Sequence, residues 1–189
     1  MLAFLNIQGD PFAVGLALGR FGAEAVHGHL LKTEAWASVM RWRDSAAIAA
    51  MRQSVQERHP AIVRELEGMA QGLGLSFEEV LAWNCRGDVW AMSPDGCTTV
   101  QLPATGDGAD AVFAHNEDGD PGFAGQCAIA QIEVAGGGAF ASFVYPGSLP
   151  GHTFAVNRSG VAMTVNNLRA LHMPPGVPRM VLARAALDQ

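Results

Sequence analysis

The stretch Asp95-Gly96-Cys97-Thr98-Thr99 marks a change of character in the chain. Glycine reaches backbone angles closed to other residues, and threonine favours a strand. Gly96-Cys97 therefore reads as a tight turn that opens a strand with Cys97 as its first residue. A cysteine there is a good nucleophile once the bond before it is cut. Its freed α-amine, with an ordinary pKa of roughly 7.7–8.0, then serves as its base.

Upstream of this point the pattern is helical. Residues 1–8 read as one strand, and Gly9-Asp10-Pro11 starts a helix with Asp10 as N-cap and Pro11 at the first helical position. The helical pattern runs from Phe12 to about Trp42. Gly15, Gly19 and Gly22 recur along it; glycine weakens an isolated helix, so their expected role is close packing. Asp44 to about Arg58 reads as a second helix. Pro60 opens a third, with Ile62, Val63, Leu66 and Met69 at helical spacing before Gly72 and Gly74. Ser76 and Glu79 form a capping box for a fourth, which ends near Trp83 or Asn84.

Downstream the pattern is strand-like. Cys97 to Leu102 and Ala111 to His115 flank a polar turn, and the second ends in the acidic loop 116–122. Cys127 to Val134 pairs with Ala139 to Tyr145 across three glycines, and His152 to Val156 with Gly160 to Val165. Pro174-Pro175-Gly176-Val177-Pro178 breaks the chain before a helix over Arg179 to Leu187. Helices segregated from an antiparallel sheet predict an α+β fold. The switch divides the chain into residues 1–96, helical, and residues 97–189, the start of a β-rich unit.

Composition narrows the function. The chain has 189 residues, 49% hydrophobic and 16% charged, which suits one globular domain. A net charge of −6 without a basic run argues against nucleic acid, whose phosphates need clustered Lys and Arg. Cys85, Cys97 and Cys127 form no CxxC pair and an odd set, so a reducing, cytoplasmic setting is expected. The apolar N-terminus lacks a positive region, so no signal peptide is expected, and no apolar run approaches a membrane span. No cofactor is expected.

Asp95-Gly96-Cys97-Thr98-Thr99 followed by Asn116-x-Asp118 resembles the cysteine branch of the N-terminal-nucleophile hydrolases. The nearest likeness is to peptidase family C45, that of the fungal acyl-coenzyme A:6-aminopenicillanate acyltransferase. Gly9-Asp10-Pro11-Phe12 with Gly15 and Gly19, Gly160 to Asn166, and Gly176-Val177-Pro178 are similar to further motifs of that family. The resemblance implies an αββα sandwich. It implies a precursor that cuts itself between Gly96 and Cys97, with residues 1–96 as pro-segment or α chain and the two pieces staying together. It also implies that Cys97 then cleaves a small amide or transfers an acyl group through a thioester, from a substrate such as an acyl-coenzyme A.

By the same likeness Asp118 holds the freed amine, and Asn116 orients the loop or donates to an oxyanion. His115 sits where the related choloylglycine hydrolases carry arginine, and Asn166 or Asn167 supplies an amide facing the substrate. The family's oxyanion asparagine is expected beyond Gln189, so these residues correspond to about the first half of the family's length.

Three further readings stand beside this one. The chain could be a non-catalytic or fragmentary homologue that binds or assembles. Asn116-x-Asp118-x-Asp120 mimics the start of a calcium loop, but Pro121 stands where an EF-hand needs glycine and Cys127 where it needs glutamate, so no metal is expected there. Arg86 is either a structural ion pair or a guide for an anionic group. Cys85 and Cys127 read as core thiols, and Trp36, Trp42, Trp83 and Trp90 as core or interface anchors. His27 and His29 read as a solvated pair; His59, His152 and His172 show no ligand spacing.

Overall fold

The structure, a computed structural model, describes residues 2–89, 96–106, 108, 110–167 and 176–189. Trp90, Ser93-Pro94-Asp95 of the turn, His172 and the Pro174-Pro175 break lie outside the described residues.

Strand β1 (Ala3–Gly9) turns into α1 (Pro11–Gly28), where Asp10 caps the helix by accepting from the Ala13 amide at 2.8 Å and Pro11 takes the first turn. The long helix expected up to Trp42 is two helices. The chain turns at His29 through a short 3-10 segment. Thr33 then caps α2 (Glu34–Met40) by accepting from the Trp36 amide. The sequence carries this stop as a hydroxyl residue before a glutamate, an N-cap followed by an acid in the first turn. α3 (Ala46–Arg58), α4 (Pro60–Leu73) and α5 (Phe77–Asn84) follow as expected, the last with its full Ser76–Glu79 capping box.

The strands are β2 (Cys97–Leu102), β3 (Val112–Glu117), β4 (Ala128–Val134), β5 (Ala139–Val144), β6 (Phe154–Asn157) and β7 (Ala162–Thr164); α6 (Arg179–Ala186) closes the order. Five strands form one sheet, β1-β4-β5-β6-β7, and β2 pairs with β3 in a second. The sheet is mixed rather than antiparallel. β1 runs parallel to β4, from Ala3 opposite Ala128 to Gly9 opposite Val134. A parallel neighbour needs a crossover connection, and here the whole helical block and the small sheet lie between the two strands.

Alternation fixes the layers. Ala128, Ala130, Ile132, Phe140 and Val144 are buried in the same apolar core as the helices. The opposite face carries Phe143, Phe154 and Thr164, and there β2 and β3 sit: Thr99 reaches Thr164 at 3.0 Å and His115 reaches the Phe154 ring at 6.0 Å. The order is helices, large sheet, small sheet, an α+β arrangement.

The glycines of α1 work as the spacing predicts. A Cβ at Gly15 would overlap the Glu65 carbonyl, and one at Gly68 would overlap the Phe12 carbonyl, so α1 and α4 touch backbone to backbone. Gly68→Ala is expected to lower the unfolding free energy by about 1–3 kcal/mol, the usual range for overpacking. Urea unfolding reads this directly.

Some side chains depart from their expected roles. Trp36 and Trp83 are buried with ring centroids 5.5 Å apart, as core anchors should be, but Trp42 is 41% exposed. His27 is exposed and His29 partly so, as a solvated pair should be, but each also holds a partner. His27 Nε2 meets the Leu73 carbonyl at 2.7 Å, and His29 Nε2 meets Asp120 Oδ2 at 2.7 Å. Among the described residues no helix is long and apolar enough to cross a membrane.

Candidate active site

Cys97 is the first residue of β2, directly opposite Glu117 in the antiparallel register. β3 does not stop at His115. It carries on through Asn116 and Glu117, so these residues alternate faces. His115 and Glu117 share the face of Cys97, and Asn116, opposite Thr98, turns away.

On the shared face the contacts are close. Cys97 Sγ lies 3.5 Å from Glu117 Oε2, and His115 Nε2 lies 3.1 Å from the same oxygen. The His115 side chain is 2% exposed and that of Glu117 20%. Thr99 Oγ1 contacts His115 Nδ1 at 3.0 Å and donates to Asn166 Oδ1 at 2.6 Å. Asn166 Nδ2 in turn donates to the Cys97 carbonyl at 2.7 Å. Asn166 thus pins the main chain of the nucleophile and the Thr99–His115 pair together.

Asp118 follows β3, and its carboxylate lies beside the bond of interest: a Cβ on Gly96 would sit 3.6 Å from Asp118 Oδ2. Asn116 Nδ2 donates to Asp118 Oδ1 at 2.8 Å. Its contact with the site runs through Asp118, not toward the thiol. The calcium-loop residues are otherwise engaged. Asp120 accepts from the Gly122 amide at 2.8 Å and pairs with His29. Burial pushes the Asp120 carboxyl up, but these donors more than offset it and hold it below the carboxylate range.

A cavity of about 140 Å³ opens beside Cys97. Glu117, Asp118 and Asn167 line it near the nucleophile; Tyr145, His152 and Arg86 come from more distant segments. Of the expected candidates, Cys97, Asp118 and Asn167 reach this cavity, whereas His115 and Asn166 stand behind Cys97 in the hydrogen-bonded layer. Glu117 and Tyr145 were missed by sequence reasoning.

Tyr145 is held as a neutral phenol. Burial raises it, and the Glu117 carboxylate adds to the effect. Its hydroxyl packs against Gly119, where a Cβ would overlap it. Arg86 stacks 4.5 Å over the Trp83 ring and donates to the Trp83 carbonyl at 3.0 Å, so its guanidinium is oriented by α5. Cys85 and Cys127 are the core thiols expected. Burial raises both, Cys127 to about 11, so neither competes with Cys97 as a nucleophile.

His152 is buried and held neutral, its pKa lowered well below the ordinary value first by burial and then by the Arg86 guanidinium, with Arg179 adding to the repulsion. Its Nδ1 faces the Leu149 carbonyl at 2.9 Å and so carries the hydrogen. The unfolded chain takes up a proton at His152 near pH 6.5, while the folded chain does not. Stability is therefore complete above that pH and falls as pH drops below it, by up to about 1.4 kcal/mol per pH unit. Melting temperature is expected to decline between about pH 6.5 and 5.5, and His152→Gln to flatten the decline.

Residues 104–189 match the model of the family described as acyl-coenzyme A:6-aminopenicillanic acid acyl-transferase. No curated protein matches the chain.

Proposed function

Residues 104–189 carrying that acyltransferase family's pattern, we propose that the chain is a self-processing cysteine N-terminal-nucleophile enzyme that cuts itself between Gly96 and Cys97 and then acts on a small amide or acyl thioester. The observation that carries the reading is the position of the Cys97 thiol. It follows glycine, stands 3.5 Å from the Glu117 carboxylate, and opens on a cavity lined by Asp118.

Before the cut Cys97 has no free amine, so another base must take the thiol proton. Glu117 is that base, with His115 Nε2 against the same oxygen at 3.1 Å to share the proton. The thiolate attacks the Gly96 carbonyl carbon. A C–S bond forms, the C–N bond breaks, and the proton passes to the Cys97 nitrogen. Water then hydrolyses the thioester, leaving a carboxylate on Gly96 and a free amine and thiol on Cys97. The new amine stands beside the sulfur as base for later turnovers, and Asp118 holds it by a charge-assisted hydrogen bond.

The substrate acyl group binds in the cavity, where Asn167 and the Tyr145 hydroxyl are the amide and phenol donors for its oxygens. Residues 1–96 and 97–189 are the two products. They stay associated because β1 sits in the same sheet as β4 and Asn84 Nδ2 donates to the Gly147 carbonyl at 3.1 Å.

Intact-mass measurement tests the proposal. Two species that part between Gly96 and Cys97 and co-elute under native conditions are expected. A single uncut species that binds small amides without turning them over would point instead to a binding role.

A further inference from the structure

We propose that Cys97 Sγ, His115 Nε2 and Glu117 Oε2 form a binding site for a divalent transition metal of the zinc type, and that the bound ion keeps the Cys97 thiol from reacting in the uncut chain. The three ligand atoms all lie within 4.8 Å of one another. Thiolate, imidazole and carboxylate are zinc's donor set, whereas calcium and magnesium take oxygen alone.

The spacing already suits a tetrahedral ion. With zinc bonds of 2.0–2.3 Å, ligand sulfur and oxygen stand roughly 3.6 Å apart, and nitrogen and oxygen roughly 3.4 Å. The observed separations are 3.5 Å and 3.1 Å. These two separations fall within a few tenths of an ångström of the tetrahedral values, and the sulfur and the ligating nitrogen stand within 4.8 Å of each other.

The hydrogen bonds behind the site select the ligating nitrogen. Asn166 Nδ2 is committed to the Cys97 carbonyl, so Asn166 Oδ1 is the acceptor facing Thr99. The Thr99 hydroxyl hydrogen goes to that oxygen at 2.6 Å. His115 Nδ1, 3.0 Å from Thr99 Oγ1, must then be the donor in that contact. Nδ1–H leaves the Nε2 lone pair aimed at Glu117 Oε2, two acceptors 3.1 Å apart. A proton or a cation has to stand between them. A second donor that fixes the tautomer of a ligating histidine is the usual support of a protein metal site. Here the ring is also fully enclosed, packed near Phe154.

Cys97 binds the ion as a thiolate, and its proton leaves to solvent. No oxidation or reduction is involved. Cys97 and Glu117 both border the cavity, so a water takes the fourth position from that side. The ion occupies the sulfur lone pair that would attack the Gly96 carbonyl and the carboxylate that would take the proton. The silencing rests on the self-cleavage reading; the metal site does not.

Cobalt(II) is the spectroscopic probe. The full chain, titrated with Co²⁺ without thiol reductant, is expected to saturate at one equivalent with a sulfur-to-cobalt charge-transfer band that Zn²⁺ then removes. Cys97→Ala should lose the band. His115→Ala and Glu117→Gln should each weaken binding at least tenfold, and Cys127→Ala should leave it intact. Absence of the band at millimolar Co²⁺, or a band of unchanged affinity in both His115→Ala and Glu117→Gln, overturns the site. Chain made by cell-free translation in chelator is then divided, with and without micromolar Zn²⁺, and followed by mass. Zinc is expected to slow the cut at least tenfold, reversibly with chelator. Cutting at the same rate with zinc bound overturns the silencing. Metal binding in a chain that never cuts, even in chelator, overturns the self-cleavage reading and the silencing with it, and leaves the site standing.

Discussion

Cys97→Ala is expected to abolish the cut between Gly96 and Cys97 and leave one intact chain. The effect should be roughly three orders of magnitude or more in rate, because the variant removes the only atom proposed to attack the Gly96 carbonyl. Cys97 is half-buried at the start of a strand, so truncation to alanine should shift the melting temperature little. Loss of cutting would then report chemistry and not unfolding.

Two companion variants sharpen the result. Cys97→Ser keeps a nucleophile, but a hydroxyl is far less readily ionised than a thiol, so slow cutting is expected. Glu117→Gln keeps the shape of the side chain and removes the carboxylate 3.5 Å from the sulfur. General-base contributions put its cost at roughly 10²–10⁴-fold in the rate of the cut. Once the chain is cut the α-amine replaces Glu117 as base, so the same variant should slow acyl transfer much less. A Cys97→Ala chain that still splits at this bond would remove the thiol from the mechanism. An unaffected Glu117→Gln would remove the carboxylate.

Glu117 also shows where sequence reading stops. Gly96-Cys97 is legible because a glycine, a thiol and two threonines in a row have local conformational preferences. The Asp10 cap and the Ser76–Glu79 box are legible for the same reason. Whether β3 ends at His115 or at Glu117 is decided by pairing with β2, not by the residues themselves. Two more residues of strand exchange the faces of Asn116 and Glu117 relative to a loop reading. The parallel pairing of β1 with β4 and the arrival of Tyr145 and His152 at the cavity are set by contacts far along the chain, and no local spacing announces them. Even the helix stop at His29 is partly tertiary, since His29 is held by Asp120, 91 residues away.

The same holds for Glu65 and Arg184, 119 residues apart and each 1% exposed. Glu65→Ala is expected to produce a large stability loss in the helical layer. Arg184 Nε donates to both Glu65 oxygens, at 3.2 Å and 3.0 Å, while its Nη1 donates to Asp188 at 2.8 Å. Burial pulls the Arg184 guanidinium down. The Glu65 and Asp188 carboxylates more than offset that and hold it charged. Removing Glu65 leaves a charged Nε–H in the core without its acceptor, which typically costs 3–5 kcal/mol. Asp188 still neutralises part of the charge, so a loss of about 3 kcal/mol is expected in urea unfolding. The paired change Glu65→Met with Arg184→Met removes both charges and keeps the volume, and should recover most of the loss. A Glu65→Ala cost below about 1 kcal/mol would mean that water reaches Arg184. Glu65 lies before the Gly96–Cys97 bond and Arg184 after it. In a cut chain the Glu65→Ala loss therefore falls on the association of the two pieces, and the variant should release residues 1–96 at lower urea than the parent does.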